Sequence, residues 1–82
     1  MFYRVQEVTP LSGYRLLVVF ANGERRSYPV QPLFHKWKSF AALAETKGLF
    51  EQVTVDAGGY GIRWNDEIDL SCNELYENGR RV

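Results

Sequence analysis

The segment Arg63–Gly79, RWNDEIDLSCNELYENG, sets five carboxylates (Asp66, Glu67, Asp69, Glu74 and Glu77) around a Ser-Cys pair. So many side-chain oxygens could hold a metal ion, or split the work of an acid and a base. A calcium loop alternates oxygen ligands and turns on a glycine at its sixth position; counted from Asn65, that position is Leu70. A zinc site draws on several Cys and His ligands, and the chain offers only Cys72 and His35. An enzyme using Asp66, Glu67 or Asp69 would need those groups gathered in a concave pocket.

The same residues also spell a helix start. Ser71 followed by Glu74 is a capping box: the hydroxyl accepts from the Glu74 N–H, and the Glu74 carboxylate reaches back to the Ser71 N–H. A carboxylate at Asp69 suits the positive end of the helix dipole. Leu70 and Leu75 occupy the staple positions around the cap. Asp69, Ser71 and Glu74 are therefore expected to launch a helix over residues 72–78 that Gly79 ends, with no catalytic, cofactor or metal role. A helix N-terminus can lower a thiol pKa, but Asp69 and Glu74 oppose a thiolate at Cys72, so a packed cysteine is expected.

A second chemical pattern is His35-Lys36-Trp37-Lys38, which interleaves cations with aromatic rings and could stack a base while gripping a phosphate. Arg25-Arg26 and the tail pair Arg80-Arg81 could extend it. The alternative is a loop anchored by Trp37 with solvated lysines. Arg25, Arg26, Lys36, Trp37 and Lys38 form the candidate interaction surface. No phosphate loop is present: the glycines of VDAGGYG link two expected strands and do not open a helix.

The elements that would position these residues follow from periodicity. Tyr3–Thr9 reads as a strand with a bulge near Gln6–Glu7, because Val5 and Val8 otherwise fall on opposite faces. PLSG (Pro10–Gly13) then turns the chain. Tyr14–Ala21 is apolar on both faces, the pattern of a central strand covered on two sides. Asn22-Gly23 predicts a type I′ hairpin into Glu24–Val30, a strand that Pro29 ends or places at an edge. After an irregular Pro32–Lys38, Ser39 is expected to cap a helix over Phe40–Lys47, with Gly48 as its stop and Leu49-Phe50 plugging the core. Gln52–Asp56 and Tyr60–Trp64 read as a further hairpin. The expected fold is α+β, with a curved antiparallel sheet of about five strands.

Eighty-two residues make one domain, 1–82, with a small core. The chain is 45% apolar and 24% charged, and its ten Lys/Arg balance its ten Asp/Glu, against a generic polyanion binder. The charge is uneven: residues 1–41 sum to +4 and residues 42–82 to −4, a polarity suited to a charged partner if the fold separates the halves. A lone cysteine cannot make an internal disulfide, no apolar run nears the ~20 residues of a membrane span, and MFYRVQEV has no leader pattern. A cytoplasmic protein is expected.

The order of YRVQEVTPLSGYRLLVVFANGERRSY, PLF, LFEQVTVDAGGYGIRW and DLSCNELYENG resembles the small prokaryotic family known as domain of unknown function 2442. The resemblance implies an α+β fold, a bacterial cytoplasmic setting and no assigned activity. The resemblance further implies a gene often set beside that of another small protein, a pairing that looks like toxin–antitoxin or partner-chaperone organisation. Longer relatives add a helix-turn-helix domain, which is not expected here, since the sequence ends at Val82. We expect a non-enzymatic protein-interaction module, an antitoxin-like or accessory subunit for a small protein partner, with no membrane association. Twelve aromatic side chains in so small a chain exceed what its core can hide. A homodimer through the edge of Glu24–Val30 is a related expectation, and nucleic-acid binding or regulation through the basic-aromatic surface is the alternative.

Overall fold

A computed structural model describes residues 3–82. Met1 and Phe2, the start of the segment read as lacking a leader, lie outside the described residues. The elements in chain order are β1 (Val5–Leu11), β2 (Arg15–Phe20), β3 (Arg25–Pro29), α1 (Leu33–Lys36), α2 (Ala42–Glu45), β4 (Thr54–Val55), β5 (Gly61–Asn65), β6 (Ile68–Ser71), α3 (Cys72–Asn78) and β7 (Arg80–Arg81). They form an α+β fold with two antiparallel sheets. One has the order β1-β2-β3-β7, the other β4-β5-β6. The single curved sheet of about five strands is thereby corrected. The chain divides between sheets after β3, and two strands, β6 and β7, flank α3 where the sequence reading had only helix and tail.

The expected bulge is present. The β1–β2 register slips between Val5 and Glu7, so Val5 faces Phe20 and Val8 faces Val18 on the same side of the sheet. The β2–β3 turn differs in type from expectation. Its loop is Ala21–Gly23, and Gly23 alone takes the left-handed conformation (φ +88°). Gly23 N–H donates to Phe20 O at 2.9 Å, and the Asn22 side chain accepts from Glu24 N–H at 2.9 Å. That is a three-residue loop closed by a glycine bulge, and it spares Asn22 the positive φ that a type I′ turn demands.

The helix expected over Phe40–Lys47 is broken up. Trp37 is extended and separates α1 from a 3₁₀ turn over Lys38–Ala41; α2 lasts one turn and stops at an extended Thr46. Ser39 caps nothing there. Each piece is too short to persist on local propensity, and each is held by one buried side chain: Leu33, Phe40 and Leu43. Phe50 is buried and Leu49 packs on the core, as a plug should.

Leu16, Val18, Phe20, Val30, Ile62 and Leu75 are completely buried. Leu16, Val18 and Phe20 come from the inner face of β2, Val30 from just beyond β3, Ile62 from β5, and Leu75 from α3, which packs on β3, β5 and β6. Ile68 and Leu70 alternate inward with Asp69 outward, which is why β6 forms. Tyr60, aligned with Ile62 and Trp64 in the sequence pattern, instead precedes β5 and is 48% exposed. Among the described residues no helix is long and apolar enough to cross a membrane.

Candidate functional site

The fold disperses the acidic cluster. Asn65 closes the β5–β6 hairpin, its side chain accepting from Glu67 N–H at 2.8 Å and Ile68 N–H at 3.0 Å. This leaves Asp66 and Glu67 at the tip, with Asp66 94% exposed and paired to Arg63. Asp69 points outward from β6 and, with Asp56, Tyr60 and Ser71, lines a shallow hollow of about 230 Å³. Glu77 is exposed on α3. Asp66, Glu67 and Asp69 thus do not converge on one pocket, and the described residues contain no group of three or more His, Cys, Asp or Glu placed to hold a metal ion.

The helix cap is present in half of its expected form. Ser71 Oγ accepts from Glu74 N–H at 3.1 Å. The Glu74 carboxylate, however, accepts from the Tyr28 hydroxyl at 2.8 Å and so ties α3 to β3. Burial, and behind it the bond to Glu74 and its charge, push the Tyr28 hydroxyl pKa well above the usual phenol range. Cys72 is buried, with Asn73 Oδ1 3.8 Å from its sulfur.

The basic-aromatic surface is split three ways. Strand alternation sends Arg25 and Arg26 to opposite faces of β3: Arg25 stands opposite Val19, and Arg26 opposite Val18 on the core side. Arg26 is committed there to the Tyr76 ring, Glu24 and Gly79 O. Trp37 is 42% exposed, with Lys36 Nζ 4.8 Å from its ring centre and Phe40 tilted against it at 5.4 Å. Phe40 in turn meets Trp64 of the other sheet, so Trp37 is anchored on that side of the molecule. His35 and Lys38 are exposed beside it.

A surface missed by the sequence reading lies on the outer face of the four-stranded sheet. The registers place Glu7–Val19–Arg25, Thr9–Leu17–Ser27–Arg80 and Leu11–Arg15–Pro29 in three outward rows. Leu11, Leu17 and Val19 are only half-buried and neither belong to the core nor pack against it. β2 is central within its sheet but is covered on one face only, against expectation. The signal was present as apolar residues on both faces of Tyr14–Ala21; it marked an open aliphatic face, not a second covering layer. β3 does end at Pro29, but it is not the free edge expected for a homodimer, since β7 pairs with it at Arg26 and Ser27.

No curated protein and no solved structure matches the chain. The family described as Protein of unknown function (DUF2442) matches residues 5–81, nearly the whole length, and the chain belongs to that family.

Proposed function

We propose that this domain is a non-enzymatic protein-interaction module, an accessory or antitoxin-like subunit that receives a small protein partner on the outer face of the four-stranded sheet. The observation that carries this reading is the half-buried aliphatic centre of Leu11, Leu17 and Val19, which faces away from the core. An apolar centre with a polar rim is how protein interfaces are built, whereas enzymes and small-ligand sites use concave pockets. Nucleic-acid binding through Arg25, Arg26, Lys36, Trp37 and Lys38 has less support, because Arg26 is engaged inside and Arg25 faces the other way. A cytoplasmic setting accords with a sole cysteine that is free and buried.

Leu17→Glu and Val19→Glu each plant a carboxylate in the patch without touching the core. With a tagged chain co-expressed with the product of the adjacent gene, the wild type and Trp37→Ala should co-elute with that protein, and the two glutamate variants should not. Failure of the wild type to form any complex, or retention of the partner by both glutamate variants, would overturn the reading.

A further inference from the structure

We infer that the surface docked on this face is acidic: a protein element with an aliphatic centre rimmed by carboxylates. The inference rests on the docking reading above and deepens it. Directly opposed residues in antiparallel strands share a face, with neighbouring strands about 4.8 Å apart. Leu17 therefore has Val19 and Arg15 along its own strand, Thr9 and Ser27 across, and Arg80 one strand beyond Ser27. Three arginines (Arg15, Arg25 and Arg80) and one acid, Glu7, ring the patch.

Among the described residues these positive charges have no carboxylate partner. Among the described residues the ion-paired arginines are Arg26, Arg63 and Arg81. Arg25 and Arg80 are exposed without a carboxylate partner, and Arg15 Nε donates only to Ser12 O at 3.0 Å. Glu24, the acid nearest this end of β3, is turned to the inner side, where it holds Arg26, Arg81 and Tyr76. The sequence brings Arg80 from the far end of the chain to stand beside Ser27, so the basic rim is a product of folding that neither arginine pair reveals alone.

The same charges argue against other occupants. A second copy docked face to face about a two-fold axis would set arginines against arginines with a single Glu7 on each side, which is repulsive. Single-stranded nucleic acid is held on aromatic stacking platforms, and none of the three rows contains an aromatic residue. A duplex would lay phosphates over Leu17 and Val19 and leave that apolar area unburied.

The test is an amide-shift titration of the isotopically labelled full chain by NMR. The probes are a synthetic amphipathic helix of Leu and Glu, its Leu/Lys counterpart and a short DNA duplex. The Leu/Glu helix should shift the amides of Leu17, Val19 and Ser27, more weakly as salt rises. Arg25→Glu with Arg80→Glu should weaken it by at least about tenfold, whereas the lysine double variant should lose much less. Unchanged core amides in the charge-reversed variant would show that its fold is intact. No shift with the Leu/Glu helix, equal binding of the Leu/Lys helix, or stronger shifts at these amides with DNA would overturn the inference. In co-expression, loss of the partner on Leu17→Glu together with its full retention on Arg25→Glu/Arg80→Glu would overturn the acidic partner alone and leave the docking face standing.

Discussion

The guanidinium carbon of Arg26 lies 4.1 Å from the centre of the Tyr76 ring, and the Tyr3 ring stacks on the opposite face of Tyr76 at 3.7 Å. Arg26 also donates to Glu24 at 2.7 Å and to Gly79 O at 3.2 Å, so one side chain joins β3 to α3 and to the residue that ends it. Replacing it with Ala removes a cation–π contact and leaves part-buried Glu24 short of a partner. Arg26→Ala should therefore lose about 1–2 kcal/mol of stability, chiefly through the lost ring contact. Arg26→Lys should recover little of this, because an ammonium cannot lie flat on the ring while bridging a carboxylate and a carbonyl. Urea unfolding followed by tryptophan fluorescence reads both.

Acid should release the same junction from its other side. The hydrogen bond from Tyr76, followed by those from Arg81 and Arg26, holds the Glu24 carboxyl below its ordinary value of 4.5. A carboxyl whose pKa is depressed by folding contributes stability that is complete above its unfolded pKa and is lost as pH falls through the folded one. Wild-type melting temperature should drop as pH is lowered below 4.5, and Glu24→Gln should show a shallower drop over that window while being less stable at neutral pH. Equal acid slopes in the two proteins would contradict the assignment.

Alkali should act at Tyr28, with the opposite sign. Folding raises this hydroxyl above its ordinary value of 10, so the folded chain keeps a proton that the unfolded chain releases. Stability from this source is complete below pH 10 and falls as pH rises beyond it. Tyr28→Phe loses the bond to Glu74 and should cost about 1–2 kcal/mol at neutral pH. The gap between variant and wild type should narrow above pH 10, as denaturant titrations on either side of that value will show.

Local signals in the sequence were reliable where one short stretch decides the outcome. The Gln6–Glu7 bulge, the Ser71 cap, the α3 stop at Gly79 and the Phe50 plug all depend on a few neighbouring residues, and all are present. Distant pairing was not legible. Glu74 was expected to complete its own capping box, but the nearby Tyr28 hydroxyl on β3 claims it, and nothing in residues 69–75 announces that. The Phe40–Lys47 helix failed because Ala41, Ala42 and Ala44 supply propensity but little to bury, so packing of Phe40 and Leu43 decided the backbone. Ile68-Asp69-Leu70-Ser71 carries a period-two signal for β6, but Asp69 and Ser71 in it equally spell the start of α3. The outer face escaped because Arg80 joins Leu17 and Ser27 only after α3 has turned the chain back onto β3.

The seam between the sheets makes a final, discriminating prediction. β1 abuts β4 and β5, and Gly59 in the 3₁₀ turn before β5 faces the β1 backbone there. Its φ is +76°, and a methyl group added to it would stand 2.6 Å from Val5 O and 3.2 Å from Val5 N. Backbone cannot yield as a flexible side chain can. Gly23 has a φ of +88° but open space around it, so Ala there bears the left-handed strain alone. Gly23→Ala should cost about 1–2 kcal/mol. Gly59→Ala adds a collision to a similar strain and should cost clearly more, roughly 3 kcal/mol or above. Paired thermal melts separate the two sites. Equal losses would mean that the sheets part easily at Val5, and that β1 is not wedged against the second sheet by the missing side chain.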